Sequence, residues 1–338
     1  FLYATSKLSL QCDLSNREGL RVARKLCDWA DVVVESFSPG TMARMGMDFD
    51  TLNRDRGDLI MLSTAMLGQN GPLREYAGYG GQAAGFCGLH YITGWPDREP
   101  CGVHGPYTDV VAPKFGIAAL VSAIHDRPRS GKGPYIDLSP AECSLYFMAP
   151  LLLDQAVNGR TAERTGMRSM YSCPHGVFQC AGTQRYIAIE VETTEQWRAF
   201  MQIAPLDAFR GERFDSVDAR HEVSEQLLEA IAAWAADADP WELEKRLVSA
   251  GVPASVVQRP MDVFNDPQIE ARGLKQVLRH GECGDVIHYG FPTRFSAKDR
   301  MVLSAPPCLG EHNDYILKYC LGSPEDEILK LRNAGAFE

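Results

Sequence analysis

The stretch DVVVESFSPGTMARMGMDFDTLNRDRGDLIMLS, residues 31–63, decides the fold. DVVVES (31–36) is a continuous run rich in β-branched residues, the pattern of a strand buried on both faces of a parallel sheet. SPG then breaks the chain, and TMARMGMDFDTLN predicts a short helix with a bend near Gly46. DLIMLS (58–63) is a second buried strand. Upstream, NREGLRVARKLCDWA sets Leu20, Ala23, Leu26, Cys27 and Ala30 on one helical face, and KLSLQCD alternates as a further strand. Strand, helix, strand, helix, strand predicts right-handed crossovers and an α/β fold with a doubly wound, mostly parallel sheet. That first strand follows residue 1 almost at once, so the chain is expected to begin inside a fold, with an upstream segment absent.

Residues 64–108 are dense in glycine (GQNGP, AGYGGQAAGFCG, ITGWP) and read as loop with short helical pieces. A helix is expected over 114–126, with Pro113 at its first position. The turn RPRSGKG, the strand PYIDLS and an apolar helix over 140–157 follow. NGRTAERTGMRSMYS is a polar, basic linker. Beyond it, HGVFQCAGTQRYIAIEVET predicts a hairpin turning at Gly182 and Thr183. EQWRAFMQIA, SEQLLEAIAAWAAD and WELEKRLVSAG are helices, the last closed by Gly251. The expected division is a large α/β domain over 1–165, rejoined by 295–338, and a smaller α+β domain over 175–290.

A chain of 338 residues exceeds the roughly 250–300 at which single cores stop growing, in line with that division. Hydrophobic content of 45% and charged content of 23% are those of an ordinary globular protein. A net charge of −10 disfavours nucleic acid as a partner but leaves room for a small anionic ligand. No apolar run reads as long enough to span a bilayer and no signal peptide opens the chain, so no membrane partner is expected. The ten cysteines never form C-x-x-C and the eight histidines show no metal-ligand spacing, so no metal is expected. Scattered thiols in a large chain fit a reducing cytoplasm, nearly all of them as small buried hydrophobes.

Two segments carry candidate chemistry. ESFSPGTMAR stands at the carboxyl end of a strand, where open α/β sheets bind ligands. Arg44 can meet a phosphate there and Phe37 can pack on an adenine ring. The same loop can be a plain turn in which Ser38 or Thr41 caps a helix, and without G-x-G-x-x-G or a P-loop the local pattern favours that. Asp109, in GPYTDVVAPKFGIAALVSAIH (105–125), stands three residues too early to cap a helix opening at Pro113. A carboxylate between a glycine-rich loop and a helix terminus can be a helix-entry residue. It can also be a nucleophile, with backbone N–H groups placed for a developing oxyanion. The residues alone leave both roles open. His175, in SCPHG, falls in a candidate active-site loop yet fits a structural role, and a serine triad lacks its G-x-S-x-G.

DVVVESFSPGTMARMG, GQNGPLREYAGY, the Asp109 segment through H-x-x-x-x-SGKGPYIDLS, and the GVPASVVQ, DVFNDPQIEARG and LGEHND series occur in order along almost the whole chain. Together they resemble the class III CoA-transferase family, of the formyl-CoA/carnitine (CaiB–BaiF) type. The resemblance implies a Rossmann-like large domain, a smaller domain and an interlocked homodimer. Members usually begin with a further strand–helix–strand piece. It also implies a reaction between an acyl-CoA and a carboxylic acid. An aspartate, matching Asp109, attacks the thioester to give a mixed anhydride, and the CoA thiolate converts it to an aspartyl-CoA thioester. The acceptor carboxylate then forms a second anhydride and takes the CoA. Dehydrating the carboxylate and confining its partners makes each exchange nearly unimolecular and protects the anhydride from water.

Contacts with coenzyme A carry over to Ser36, Phe37, Ser38 and Arg44, to Cys12 and Ser15 in CDLS, and to Tyr76 and Tyr79 in YAGY. The chain departs from the pattern at E-S-F, where many relatives have E-N-F, and at Ser15, near a family lysine. Both changes are expected to weaken CoA binding without touching the chemistry. RSMYSCPHG replaces the glycine-run loop that shields the intermediate in formyl-CoA transferases. The racemase branch pairs its aspartate with a histidine where this chain has Tyr79, which favours transfer over two-base proton exchange. An acyl-CoA racemase or isomerase, or a non-catalytic CoA-binding chain, are the alternatives.

Overall fold

The computed structural model describes residues 3–299 and 301–337. The chain is a mixed α/β protein, with a small parallel sheet and two antiparallel sheets among the described residues. It divides into two compact units, one of Phe1–His90, Gly102–Thr161 and Pro267–Glu338, the other of Tyr91–Cys101 and Ala162–Asp266.

In the first unit, β1 (Val32–Glu35), β2 (Ile60–Thr64) and β3 (Tyr135–Leu138) are parallel in the order β1-β2-β3, with Val33 opposite Met61 and Leu62 opposite Ile136. Leu59 to Leu62 are at most 3% exposed, so the central strand is buried on both faces, as its unbroken apolar run predicts. One face packs Val33 and Met61 against Met42, Met47, Leu52 and the helix Arg17–Trp29. Asn16 opens that helix by accepting from the N–H groups of Glu18 and Gly19. TMARMGMDFDTLN forms two short helices, Thr41–Arg44 and Phe49–Asn53, joined through Gly46 at φ +67°.

The other face packs the long helix Tyr107–Ser130. A Cβ on Gly116 would lie 3.2 Å from Leu138 Cδ2 and 3.4 Å from Leu62 Cδ1, so the missing side chain is what lets helix and sheet approach. The helix Pro140–Asn158, capped by Ser139, joins it and buries Val111, Ala112 and Cys143.

Three expectations change here. KLSLQCD is not a strand. Its backbone bonds go to distant partners: Ser9 N–H to His312 Nδ1, Gln11 N–H to Asn313 Oδ1, and Asp13 N–H to the Ala336 carbonyl. The long helix starts at Tyr107 rather than 114 and continues through Pro128 to Ser130, where Gly131 closes it. Pro113 therefore lies inside the helix, and Asp109 is its third residue instead of standing ahead of it. A proline removes one i→i−4 bond, and the burial of Val111, Ala112 and Gly116 against the rest of the unit offsets that loss. This helix is also long and apolar enough, by length and composition, to cross a bilayer, contrary to the expectation of no such run. Asp109 and Lys114 interrupt the apolar residues, which hides the segment from a search for unbroken runs. Core helices of globular chains share such composition, and this one packs on β2 and β3.

In the second unit, β4 (His175–Gln179), β5 (Tyr186–Glu190) and β6 (Ala254–Val256) form an antiparallel sheet in the order β4-β5-β6. The β4–β5 hairpin turns at Gly182, as its sequence predicts. Trp197, Phe200, Leu227, Ile231, Leu243 and Leu247, on the helices Thr194–Ile203, Ser224–Ala235 and Pro240–Ser249, fill the core. Arg220, 0% exposed, donates to the carbonyls of Cys173, Glu192, Phe214 and Asp215 and lies over the Trp197 ring. A separate hairpin of β7 (Lys275–His280) and β8 (Gly284–Tyr289) belongs to the first unit. All ten cysteines are free. Only Cys87, Cys143, Cys173 and Cys180 are buried; Cys12, Cys27, Cys308 and Cys320 are half-buried and Cys101 and Cys283 exposed, so the expectation of nearly all as buried hydrophobes does not hold.

Candidate active site

Strand alternation splits the carboxyl edge of the parallel sheet between two faces. Val34, Ser36, Leu62, Thr64 and Leu138 turn toward the long helix and, with Tyr79, Asp109 and Pro113, line a cavity of about 480 Å³. Glu35, Ser63 and Asp137 turn the other way, into a second cavity of about 350 Å³ that also takes in Ser38, Asp48 and Asp50. Ser36 and Ser38 thus serve different cavities.

Asp109 is held by one oxygen. The Gly80 N–H donates to Oδ2 at 3.3 Å. The neighbouring Thr108, 0% exposed, donates its hydroxyl to the Gly80 carbonyl at 3.2 Å. Gly80 opens the short helix Gly80–Phe86, and a Cβ there would lie 2.7 Å from Pro106 Cβ and 2.9 Å from Asp109 Cγ. Only glycine fits without displacing the carboxylate. Neither Gly80 nor Thr108 stands out in the sequence. The glycines of AGYGGQAAG were the available signal, but a local pattern does not say which of them faces an acid. Nucleophilic use of a carboxylate calls for a dehydrated group, whereas in the single chain the Asp109 side chain is exposed.

Ser36, Tyr79 and Asp109 come together in the first cavity; Cys12, Ser15, Phe37, Ser38, Arg44 and Tyr76 do not line it. Phe37 is exposed, and its N–H donates to Glu35 Oε2 at 2.7 Å. Neither Ser38 nor Thr41 caps the helix Thr41–Arg44 with its side chain. Gly40 occupies the cap at φ +79°, and the exposed Arg44 guanidinium donates to Thr41 Oγ1 at 2.6 Å. Tyr76 and Tyr79 are both exposed. Cys12 donates its thiol to the Gly19 carbonyl, and burial pushes that thiol pKa up. Ser15 donates to Asp13 Oδ1 at 2.7 Å. His175 lines an apolar cavity of about 580 Å³ within the second unit, where its Nδ1 is 2.6 Å from the Met167 carbonyl oxygen. Among the described residues, no group of three or more His, Cys, Asp or Glu is arranged to hold a metal ion.

A family model described as CoA-transferase family III matches residues 1–313. The chain belongs to that family. The transferase is 29% identical over 329 residues to the succinyl-CoA–D-citramalate CoA-transferase of Chloroflexus aurantiacus, covering 97% of this chain and 82% of that protein. It is 28% identical over 321 residues to the succinate–glutarate CoA-transferase of Agrobacterium fabrum, covering 94% and 80% of the two chains. Its fold matches the crystal structure of a CAIB/BAIF family protein from Brucella suis with a TM-score of 0.85 and 29% identity, covering 94% of this chain and 82% of that one. By family and relatives it is a CoA-transferase, moving CoA from an acyl-CoA to a carboxylic acid.

Proposed function

We propose that Asp109 is the nucleophile of this transfer, that the thioester end of the acyl-CoA enters the cavity beside Ser36 and Tyr79, and that the exchanged acids are dicarboxylic. The observation that carries the reading is the meeting of Asp109 with Ser36, from the loop after β1, in one cavity. The substrate class rests on the relatives, named for succinyl-CoA with citramalate and for succinate with glutarate.

Asp109 attacks the thioester carbonyl and releases CoA thiolate, leaving a mixed anhydride. The thiolate attacks Asp109 Cγ and expels the donor acid. The acceptor carboxylate attacks the resulting aspartyl-CoA thioester, and the thiolate then takes the acceptor acyl group, freeing Asp109. Holding these groups in one cavity supplies much of the rate through proximity. The exposed Phe37 ring and Arg44 guanidinium are available for the adenine and a phosphate.

The reading includes a Rossmann-like, doubly wound large domain and an interlocked homodimer. Helices on both faces of β1–β3 support the first. For the second, Ile117, Val121 and Ile124 on the long helix and Leu152, Leu153 and Val157 on the helix Pro140–Asn158 are all exposed in the single chain. Apolar faces of this kind mark protein contacts, and a second copy over them would also shield Asp109. The ten free thiols support a reducing, cytoplasmic setting.

Mass spectrometry after incubation with succinyl-CoA tests the central step. A CoA adduct is expected on the peptide containing Asp109 and is expected to vanish in Asp109→Ala. An adduct that survives in Asp109→Ala, or none in the wild type across a panel of acyl-CoAs, overturns the assignment.

A further inference from the structure

We propose that the Gly80 N–H is an oxyanion donor for the aspartyl intermediates, and that Thr108 is the positioning residue that holds it there. The inference rests on the reading of Asp109 as nucleophile. Two consecutive residues at the start of the long helix grip one distant residue, Thr108 through the Gly80 carbonyl and Asp109 through the Gly80 N–H. Thr108 is 0% exposed, so its hydroxyl has no bulk water to turn to. The bond to the Gly80 carbonyl fixes the peptide whose N–H reaches Asp109.

The two carboxylate oxygens are therefore unequal. Oδ2 accepts from Gly80, while among the described residues no hydrogen bond reaches Oδ1. Attack through Oδ1 forms the Oδ1–acyl bond and breaks the thioester C–S bond, releasing thiolate and leaving Oδ2 as the carbonyl oxygen of the anhydride. When the thiolate adds to Cγ, the carbonyl electron pair moves onto Oδ2. The Gly80 N–H already stands there. Collapse returns that pair, breaks the Cγ–Oδ1 bond and releases the donor acid as carboxylate. Addition of the acceptor carboxylate to the aspartyl-CoA thioester places charge on the same oxygen. A preorganised donor aimed at one developing oxyanion lowers both barriers without a matching gain in ground-state binding.

The experiment compares wild type, Thr108→Val, Thr108→Ser and Gly80→Ala in steady-state transfer and in single-turnover formation of the Asp109 adduct. Thr108→Val is expected to slow adduct formation and kcat about tenfold or more, with KM for acyl-CoA within about twofold. Thr108→Ser keeps the hydroxyl and is expected to stay within about threefold of wild type. Gly80→Ala, with its Cβ 2.9 Å from Asp109 Cγ, is expected to lose more than Thr108→Val. Wild-type kcat in Thr108→Val, or a change confined to KM, overturns the inference while a wild-type adduct leaves the Asp109 reading standing. A wild type without the adduct overturns both. If Thr108→Val does not fold, Thr108→Ala against Thr108→Ser makes the same comparison, and equal kcat in those two overturns the inference.

Discussion

Pro113 stands four residues after Asp109 in the long helix, so the Asp109 carbonyl lacks the N–H that an unbroken helix would offer it. Replacing this proline by alanine restores that donor. Pro113→Ala is expected to stabilise the protein by about 0.5 kcal/mol, the gain of a helical bond less the added freedom of the unfolded chain. Urea denaturation of the two proteins checks it, and a destabilised variant would show that the proline ring contributes more by packing in the cavity.

Asp109→Asn separates chemistry from folding. Loss of the proposed nucleophile is expected to cost about 10³-fold or more in transfer. An exposed side chain that accepts one long hydrogen bond is expected to shift unfolding by no more than about 0.5 kcal/mol. Coupled activity and melting measurements decide between this outcome and a mainly structural aspartate.

Ile117, Val121 and Ile124 are exposed along one face of the long helix. If the proposed homodimer forms over this face, Val121→Glu is expected to convert it to a species of half the mass in light scattering. An unchanged mass would place the contact elsewhere.

Arg220 satisfies four carbonyls from within the second unit. Arg220→Met keeps much of the volume but removes the guanidinium donor from the Cys173, Glu192 and Phe214 carbonyls, while Asp215 keeps the Thr194 hydroxyl, and is expected to destabilise by about 3 kcal/mol or more. Chemical denaturation followed by tryptophan fluorescence reports it, since Trp197 lies under the guanidinium.

Arg259 and Arg185 hold the Asp262 carboxyl well below the usual carboxylate range. With the folded value below the unfolded one, the contribution is present in full above about pH 4 and is lost as pH falls through the folded value. Asp262→Asn is therefore expected to be less stable at neutral pH and to lose part of the wild-type decline below about pH 4. Parallel acid limbs in the two proteins would remove Asp262 from the pH response.

The parts of the fold with local causes could be read directly. Leu59 to Leu62 are apolar because both faces of β2 are covered, and Gly182 marks its hairpin because the turn needs a positive φ. KLSLQCD could not be read this way, since the groups that satisfy it, at His312, Asn313 and Ala336, lie at the far end of the chain. Pro113 misled for a related reason, because proline more often opens a helix than sits within one. At the site, Asp109 and the loop after β1 stood out by residue type and place. Gly80 meets Asp109 through its N–H and the Thr108 hydroxyl through its carbonyl, contacts that only folding makes and that no spacing in the sequence encodes.

The openness of Asp109 in an isolated chain has a chemical price attached to solitude. A lone subunit that still captured acyl-CoA would leave its activated ester within reach of bulk solvent, and water would compete with the incoming acid. Such a chain would squander thioesters as a slow hydrolase. With the proposed homodimer, the ratio of exchange to waste would then report how completely it has assembled, and dilution alone would move it.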